Sequence, residues 1–501
     1  MMTGIPHMRN GQTLPLKDIP VFEGSSFTEA LAELLSKKYR VCSYFADRAD
    51  AQEVRLYAVC ADDKRGLFYV ILGNISADRF HSLTPQFPQV HLFEREIYEQ
   101  TGLIPEGHPW LKPVRFPMRN GNPAPIGEAD FFRIHGDEIH EVAVGPVHAG
   151  VIEPGHFRFQ CHGETVHHLE ISLGYQHRGI EEKMRGGPFT VTPFQMEAIA
   201  GDTTIGHATA YARIIESLTK CKISSHAERI RAFALELERC ANHTGDLGAL
   251  AGDVGFLPTM SYCGRIRGDF LNMTALICGN RFGRGLVVPG GIGYELEEKR
   301  AQDLSEKLQR GSEDFLGATD LLWERSSVMD RFEATGKLTK ETAESIGLVG
   351  PAARACGCIQ DVRQDHAHGY YRFFHIPISV SDTGDVFGRA HVRWLEVQAS
   401  MRFLQQHLSD FEEANDRNES RQQISNALQP DAFTVSMVEG WRGEICHAAI
   451  TDAEGRFKRY KIVDPSFHNW FGLALALREQ QISDFPLCNK SFNLSYCGFD
   501  L

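Results

Sequence analysis

Ser491-Phe492-Asn493-Leu494-Ser495-Tyr496-Cys497-Gly498-Phe499-Asp500-Leu501 closes the 501-residue chain. The stretch holds one thiol, Cys497, between Ser495 and Gly498. Its chemistry depends on whether other thiols join it. The chain has 12 cysteines but no CxxC pair, and only Cys356 and Cys358 lie close together. Structural zinc and in-chain iron–sulfur clusters draw on closely spaced cysteines, so neither is expected. Scattered cysteines in a reducing compartment act as small buried hydrophobes.

Outward from this end, composition narrows the class. A 42% hydrophobic share supports a sizeable core, and the length suggests roughly two to four domains. The net charge of -13 argues against a nucleic-acid or anionic-membrane surface as the main partner. No apolar run approaches the roughly 18–20 residues needed to cross a bilayer. Met1 to Pro20 is polar, without the apolar region of a signal peptide. The expectation is a cytoplasmic protein that meets a membrane only through partner subunits.

The fold class read from the chain is α+β. Ser26 and Glu29 form a capping box ahead of the amphipathic run Phe27 to Lys38. Strand patterns follow at 41–45, 53–60 and 66–72. His91 to Thr101 reads as a helix ended by Gly102. Pro105 to Gly127 holds six of the 22 prolines and reads as a connector. Beyond it, 157–161 and 165–171 flank His162-Gly163 as a hairpin. Apolar periodicity then predicts helices over 206–221, 226–251, 262–280, 296–322 and 388–410. A late hairpin pairs 441–450 with 457–463. The division is a small N-terminal α+β unit (1–112), a Pro/Gly-rich linker (113–127) and a mainly helical, hairpin-containing unit (128–501).

Specific motifs sit on this frame. His91 to Gly102 carries Glu94-Arg95-Glu96, and Gly107-His108-Pro109 follows. This resembles the 30 kDa hydrophilic-arm subunit of respiratory complex I, which implies a docking role without a cofactor. Downstream come Gly145-Pro146-Val147-His148, Glu153-Pro154-Gly155-His156, His177-Arg178-Gly179-Ile180-Glu181, Glu236-Leu237-Glu238-Arg239, His243-Thr244-Gly245-Asp246, Asp361-Val362-Arg363-Gln364-Asp365 and Gly384-Asp385-Val386. In that order they resemble the 49 kDa subunit of complex I and the large subunit of group 4 nickel–iron hydrogenases. One chain joining both subunits is the arrangement of formate-hydrogenlyase and hydrogenase-4 types.

The resemblance also implies a metal site, and the residues depart from it. The hydrogenase frame persists as Glu197, Ile199, Gly201 and His207, while the first two ligand positions hold Ala200 and Thr203. The C-terminal pair falls on Ser495 and Gly498. A nickel–iron centre needs soft thiolates, so an active hydrogenase is not expected. No cofactor is expected in this chain. The resemblance implies a 4Fe–4S cluster in a small partner subunit, antiporter-type membrane-arm subunits, a hetero-oligomer, quinone as a possible acceptor, and NAD only through other subunits. His148 and Asp361 are the candidates for a quinone cavity, although an insertion after His148 displaces the family's second histidine.

Site candidates carry two readings each. His177, Arg178 and Glu181 form either a proton relay or a buried ion pair holding helices to the hairpin. His207 and Asp202 form either a proton-transfer pair or a polar pair filling a vacated cavity. Asp361, Arg363 and Asp365 suggest a charged network behind the cavity. His162, His167 and His168 are not expected to share a metal, because His167 and His168 point to opposite strand faces. Tyr370 and Tyr371 read chiefly as core aromatics. A scaffold without catalysis, coupling an iron–sulfur module to an ion-pumping arm, is the alternative function.

Overall fold

A computed structural model describes residues 5–48, 53–116, 130–148, 152–408, 420–424 and 427–501. Its N-terminal layer is an antiparallel sheet of Arg40–Arg48, Val54–Asp62 and Leu67–Ile75. Val21–Glu23 joins the last of these in parallel. The helix Ser25–Ser36 covers the sheet with Phe27, Leu31, Leu34 and Leu35, the spacing that puts side chains on one helical face. It starts one residue before the expected cap. Gly24 precedes it and no side chain caps it, so the Ser26 and Glu29 capping box does not form.

The helix His91–Thr101 ends at Gly102, whose φ of 78° is left-handed backbone that glycine adopts without Cβ strain. Its charged residues hold the start of the Pro-rich segment. Arg95 donates to the carbonyls of Lys112 and Pro113, each at 2.8 Å. Glu99 accepts from the backbone N–H groups of Val114, Arg115 and Phe116. Residues 113–116, at the start of the predicted linker, are thus anchored, with Val114 and Phe116 buried. Residues 117–127 of that linker lie outside the described residues.

The first predicted hairpin forms as His156–His162 with Thr165–Ser172, and a third strand, Ile139–Val144, extends it. The late hairpin is part of a larger sheet. Ala432–Gly440 pairs with Gly443–Thr451, which pairs with Phe457–Val463. Thr13–Pro15, from the other end of the chain, adds the edge. Trp441 lies in a turn of this sheet rather than in a strand. The first two long strands are buried along their whole length, polar residues such as Thr434, Ser436, Glu439, Glu444 and His447 included.

Thr204–Thr219 packs on that sheet, and Ser225–Asp253, Leu257–Cys278, Glu298–Trp323 and Val386–Leu408 pack on one another beside it. All five expected long helices are present; residues 409–410 of the last prediction lie outside the described residues. The helix Ser225–Asp253 is capped by the Ser224 hydroxyl, which accepts from the Ala227 N–H. No helix among the described residues is long and apolar enough to cross a membrane.

Candidate functional site

The loop before the helix Thr204–Thr219 and the C-terminal stretch meet in space. Arg178 joins them, donating to the carbonyls of Ala198 (2.6 Å), Ile199 (2.9 Å) and Cys497 (2.8 Å). Ala200, Thr203, Ser495 and Gly498 are all buried here. The Ser495 hydroxyl caps the last helix, Tyr496–Asp500, by accepting from Gly498 N–H at 2.9 Å. Thr203 accepts from the Trp441 indole N–H at 3.1 Å.

One carboxylate occupies the centre. A Cβ placed on Gly498 would lie 2.7 Å from Asp464 Cγ and 2.8 Å from its Oδ2. Asp464 therefore fills the volume that a side chain at 498 would take. Its Oδ1 accepts from Ser466 N–H at 2.8 Å, capping the helix Pro465–Ala476. Its Oδ2 faces His207 Nε2 at 3.0 Å.

From His207 a hydrogen-bonded line continues inward. His207 Nδ1 lies 3.1 Å from His447 Nε2, and His447 Nδ1 lies 2.9 Å from the Tyr460 hydroxyl. His207, His447 and Tyr460 are each 0% exposed. With both imidazoles neutral, a single polarity satisfies every atom: Tyr460 O–H donates to His447, His447 Nε2–H to His207, and His207 Nε2–H to Asp464. Burial, and then the neighbouring His207, hold His447 well below the usual imidazole range. Burial pushes the Tyr460 phenol up. Burial alone would raise Asp464; its bonds to His207 and to the Ser466 N–H, with the Arg442 guanidinium nearby, outweigh this and lower it. The opposite polarity fits the same heavy-atom positions: a doubly protonated His207 donates from Nδ1 to His447 Nε2 only when His447 carries its proton on Nδ1 and donates to the Tyr460 oxygen.

His207 and Asp202 do not pair. Asp202 instead takes a two-pronged bond from Arg442, at 2.6 and 2.8 Å. The Arg442 guanidinium also stacks over Trp441 at 3.9 Å and donates to the Asn493 carbonyl. The reason is the loop's geometry: Thr204 starts the helix, and His207 points one turn inward while Asp202 faces the rim.

His177, Arg178 and Glu181 also separate. His177 Nδ1 faces the Asp500 carbonyl at 2.7 Å. Glu181 accepts from Lys461 and Arg459, each at 3.0 Å, and from Ile462 N–H. Burial would raise it, but Lys461, Arg459 and Arg115 bring it down to about 2. Lys461 further binds Glu96, which pairs with Arg115. The helix His91–Thr101 is thereby tied to the late sheet. His177, Glu181, Arg115 and Arg459 line a cleft of about 490 Å³ with Asp47 and Arg185.

His148 Nε2 faces the Gly155 carbonyl at 3.0 Å. Residues 149–151 of its insertion lie outside the described residues. Asp361 is far more enclosed. It binds Arg363 at 2.7 Å within a cluster that includes Glu236, Arg354, Glu396 and Glu439. His243 joins through Glu396 at 2.8 Å. Tyr371 donates to Glu236 at 2.7 Å. Asp361 and Arg363 lie in a buried charged network, which the Asp365 carboxylate joins only by accepting from the Asp361 N–H at 2.8 Å, and no described cleft brings His148 and Asp361 together as a quinone site. His162 pairs with Glu138, His167 with Glu479, and His168 packs on Phe132.

A four-thiolate nickel–iron group does not fit these residues. Ala200 and Gly498 offer no donor atom, Asp464 blocks a side chain at 498, and Cys497 is pushed up to about 11 by burial and Glu153. Among the described residues, no group of three or more His, Cys, Asp or Glu is arranged to hold a metal ion.

Two family models match the chain. Residues 33–124 match that of the 30 kDa subunit of respiratory-chain NADH dehydrogenase, and residues 253–500 match that of its 49 kDa subunit. One polypeptide carries both regions, fused. Formate hydrogenlyase subunit 5 of Escherichia coli is 28% identical over 84% of this chain and 77% of its own length. Hydrogenase-4 component G of Escherichia coli is 28% identical over 89% and 80%. A subunit of the NADH-quinone oxidoreductase of Clostridium beijerinckii is 27% identical over 67% and 90%. In fold, a chain of the membrane-bound sulfane sulfur reductase, an archaeal respiratory membrane complex, matches with a TM-score of 0.66 at 21% identity, covering 73% of this chain and 99% of that one.

Sequence reasoning missed Arg442, His447, Tyr460 and Asp464. One signal was available. His447 sits inside the apolar run Ile445 to Ile450 of a strand, and a histidine there needs a buried partner.

Proposed function

We propose that this protein is a hydrophilic-arm subunit of a membrane-bound, energy-converting oxidoreductase of the complex I and hydrogenase type. Ala200, Thr203, Ser495 and Gly498 are its vacated metal positions. Residues 1–112 form the 30 kDa-like unit and 128–501 the 49 kDa-like unit, joined by 113–127. The protein docks on a small iron–sulfur partner carrying a 4Fe–4S cluster and sits on the cytoplasmic side of an antiporter-type membrane arm. Electrons reaching the partner's cluster draw a proton onto the line Asp464–His207–His447–Tyr460. The observation that carries this reading is the Asp464 carboxylate, seated where a ligand side chain at 498 would stand and hydrogen-bonded to His207. Quinone is the acceptor that relatives of this kind suggest; in this chain, His148 and Asp361 do not themselves assemble a pocket for it.

The test is the purified assembly carrying His207→Ala, with proton uptake followed as the cluster is reduced. The expected result is loss of redox-linked uptake while the cluster still reduces. Stoichiometric nickel in this protein, or unchanged uptake, refutes the proposal. A second reading, a scaffold without catalysis, is favoured by the structural engagement of His177 and Glu181. Full ion-coupled turnover with His177→Ala and His207→Ala together would establish it.

A further inference from the structure

Away from the buried line, the largest described cleft opens where the N-terminal arm, the helix Thr204–Thr219, the start of the helix Ser225–Asp253 and the 365–374 loop converge. Its volume is about 910 Å³. Arg9, Arg65, Arg213, Arg229 and Arg372 line it, against two lining acids, Glu228 and Asp365. This concentration of positive charge stands out in a chain whose net charge is -13. A neighbouring hollow continues it, sharing Arg213 and Arg372 and adding Lys220 and Lys222.

Three further features point to an anionic ligand. The first-turn N–H groups of a 29-residue helix start at the cleft, with Ser225 in its wall; such a terminus favours negative charge. His368, in the wall and 3% exposed, has an Nε2 with no hydrogen-bond partner. A buried polar atom of this kind needs an explanation. Burial, with Arg213 and Arg231 nearby, keeps this imidazole neutral, so it is suited to donate a single N–H. Finally, both acids sit above the usual carboxylate range. Burial raises Glu228, and it raises Asp365 to about 6. The pair of Arg213 with Glu228 is stretched to 4.0 Å.

The geometry points to a binding site for a diphosphate-bearing anion, held by Arg9, Arg213, Arg372 and the His368 Nε2. Guanidinium forks match phosphate oxygens in shape as well as charge. Phe373, 74% exposed, stands in the same wall and offers its ring to a base. The free diphosphate and a nucleoside diphosphate share the chemistry, and two ligands separate them.

The experiment titrates sodium pyrophosphate and ADP separately into the full-length chain by calorimetry, at low and at physiological salt. The expected result is saturable one-to-one binding that weakens with salt. Arg372→Ala and Arg9→Ala, both at exposed positions, each weaken it by about tenfold or more, as loss of a charge-assisted bond does. Their melting temperatures stay at the wild-type value, which separates lost binding from lost folding. Equal affinity for the two ligands assigns the site to the phosphates; tighter ADP binding that Phe373→Ala removes assigns it to a nucleotide. Either supports the inference. Absence of saturable binding overturns it, as does unchanged affinity in both arginine variants. Binding of poly-glutamate with no response to pyrophosphate also overturns it, and turns the cleft into a docking surface for an acidic segment.

Discussion

Replacing Gly498 by alanine tests the central geometric claim, that Asp464 owns the space beside residue 498. The added methyl would lie 2.7 Å from Asp464 Cγ, 2.8 Å from its Oδ2 and 2.9 Å from Ser495 Oγ. Overfilling a packed interior in this way costs about 1–3 kcal/mol. Asp464→Ala removes a helix cap, worth about 1 kcal/mol. It also leaves the His207 N–H without its acceptor, worth about 1–3 kcal/mol. If the sites were independent, the double variant would lose the sum. The structure requires otherwise, because the alanine at 464 removes the obstructing carboxylate. Relief is partial, since Ser495 remains, so the coupling is expected at about 1–2 kcal/mol in favour of the double variant. Urea unfolding of the four proteins, compared by midpoint at constant slope, measures it. Strict additivity would refute the reasoning, because it would mean that Asp464 does not occupy the site of residue 498.

Three more outcomes follow from the buried groups. Lys461→Met removes one cation from Glu96 and Glu181, which keep Arg115 and Arg459, and is expected to cost less than the about 3–5 kcal/mol of a fully broken buried pair; a loss below about 1 kcal/mol in chemical unfolding would contradict the network's importance. Glu238 is raised by burial to about 8. A raised carboxyl stabilises the fold below its unfolded value, near 4.3, and that stability fades as pH climbs through 8; Glu238→Gln should therefore gain on the wild type between pH 5 and pH 8, and parallel pH curves would count against it. His447 is held neutral in the fold, below its unfolded value near 6.5. The unfolded chain then binds more protons as pH falls below about 6.5, and stability declines in that direction; His447→Gln should flatten the acid limb of the melting-temperature profile, and an unaltered limb would exclude His447 as its source.

Much of the architecture was legible from local pattern. The helix ended by Gly102, the hairpin at His162-Gly163 and the five long helices follow from periodicity and stop signals, which act over a few residues. The capping box at Ser26 failed because the helix begins at Ser25, which moves the cap two residues back to Gly24 and puts Ser26 inside the first turn. The strand Ala432–Gly440 does alternate, Phe433, Val435 and Met437 with Thr434 and Ser436, but its polar face is buried as well, and only long-range packing shows that. The pairing of His207 with Asp202 failed for a related reason. Five positions apart, straddling a helix start, the two residues face different ways, and each found its partner across the fold.

By itself, the sequence determined that this chain joins two hydrophilic-arm regions and that Ala200, Thr203, Ser495 and Gly498 supply no thiolate. Those are matters of residue identity and order. Only the tertiary structure decided what stands in the cavity instead. Asp464 and His207 are 257 positions apart, and Glu96 and Lys461 are 365 apart. Such contacts are set by sheet register and helix packing, and the need to satisfy every buried charge selects among them.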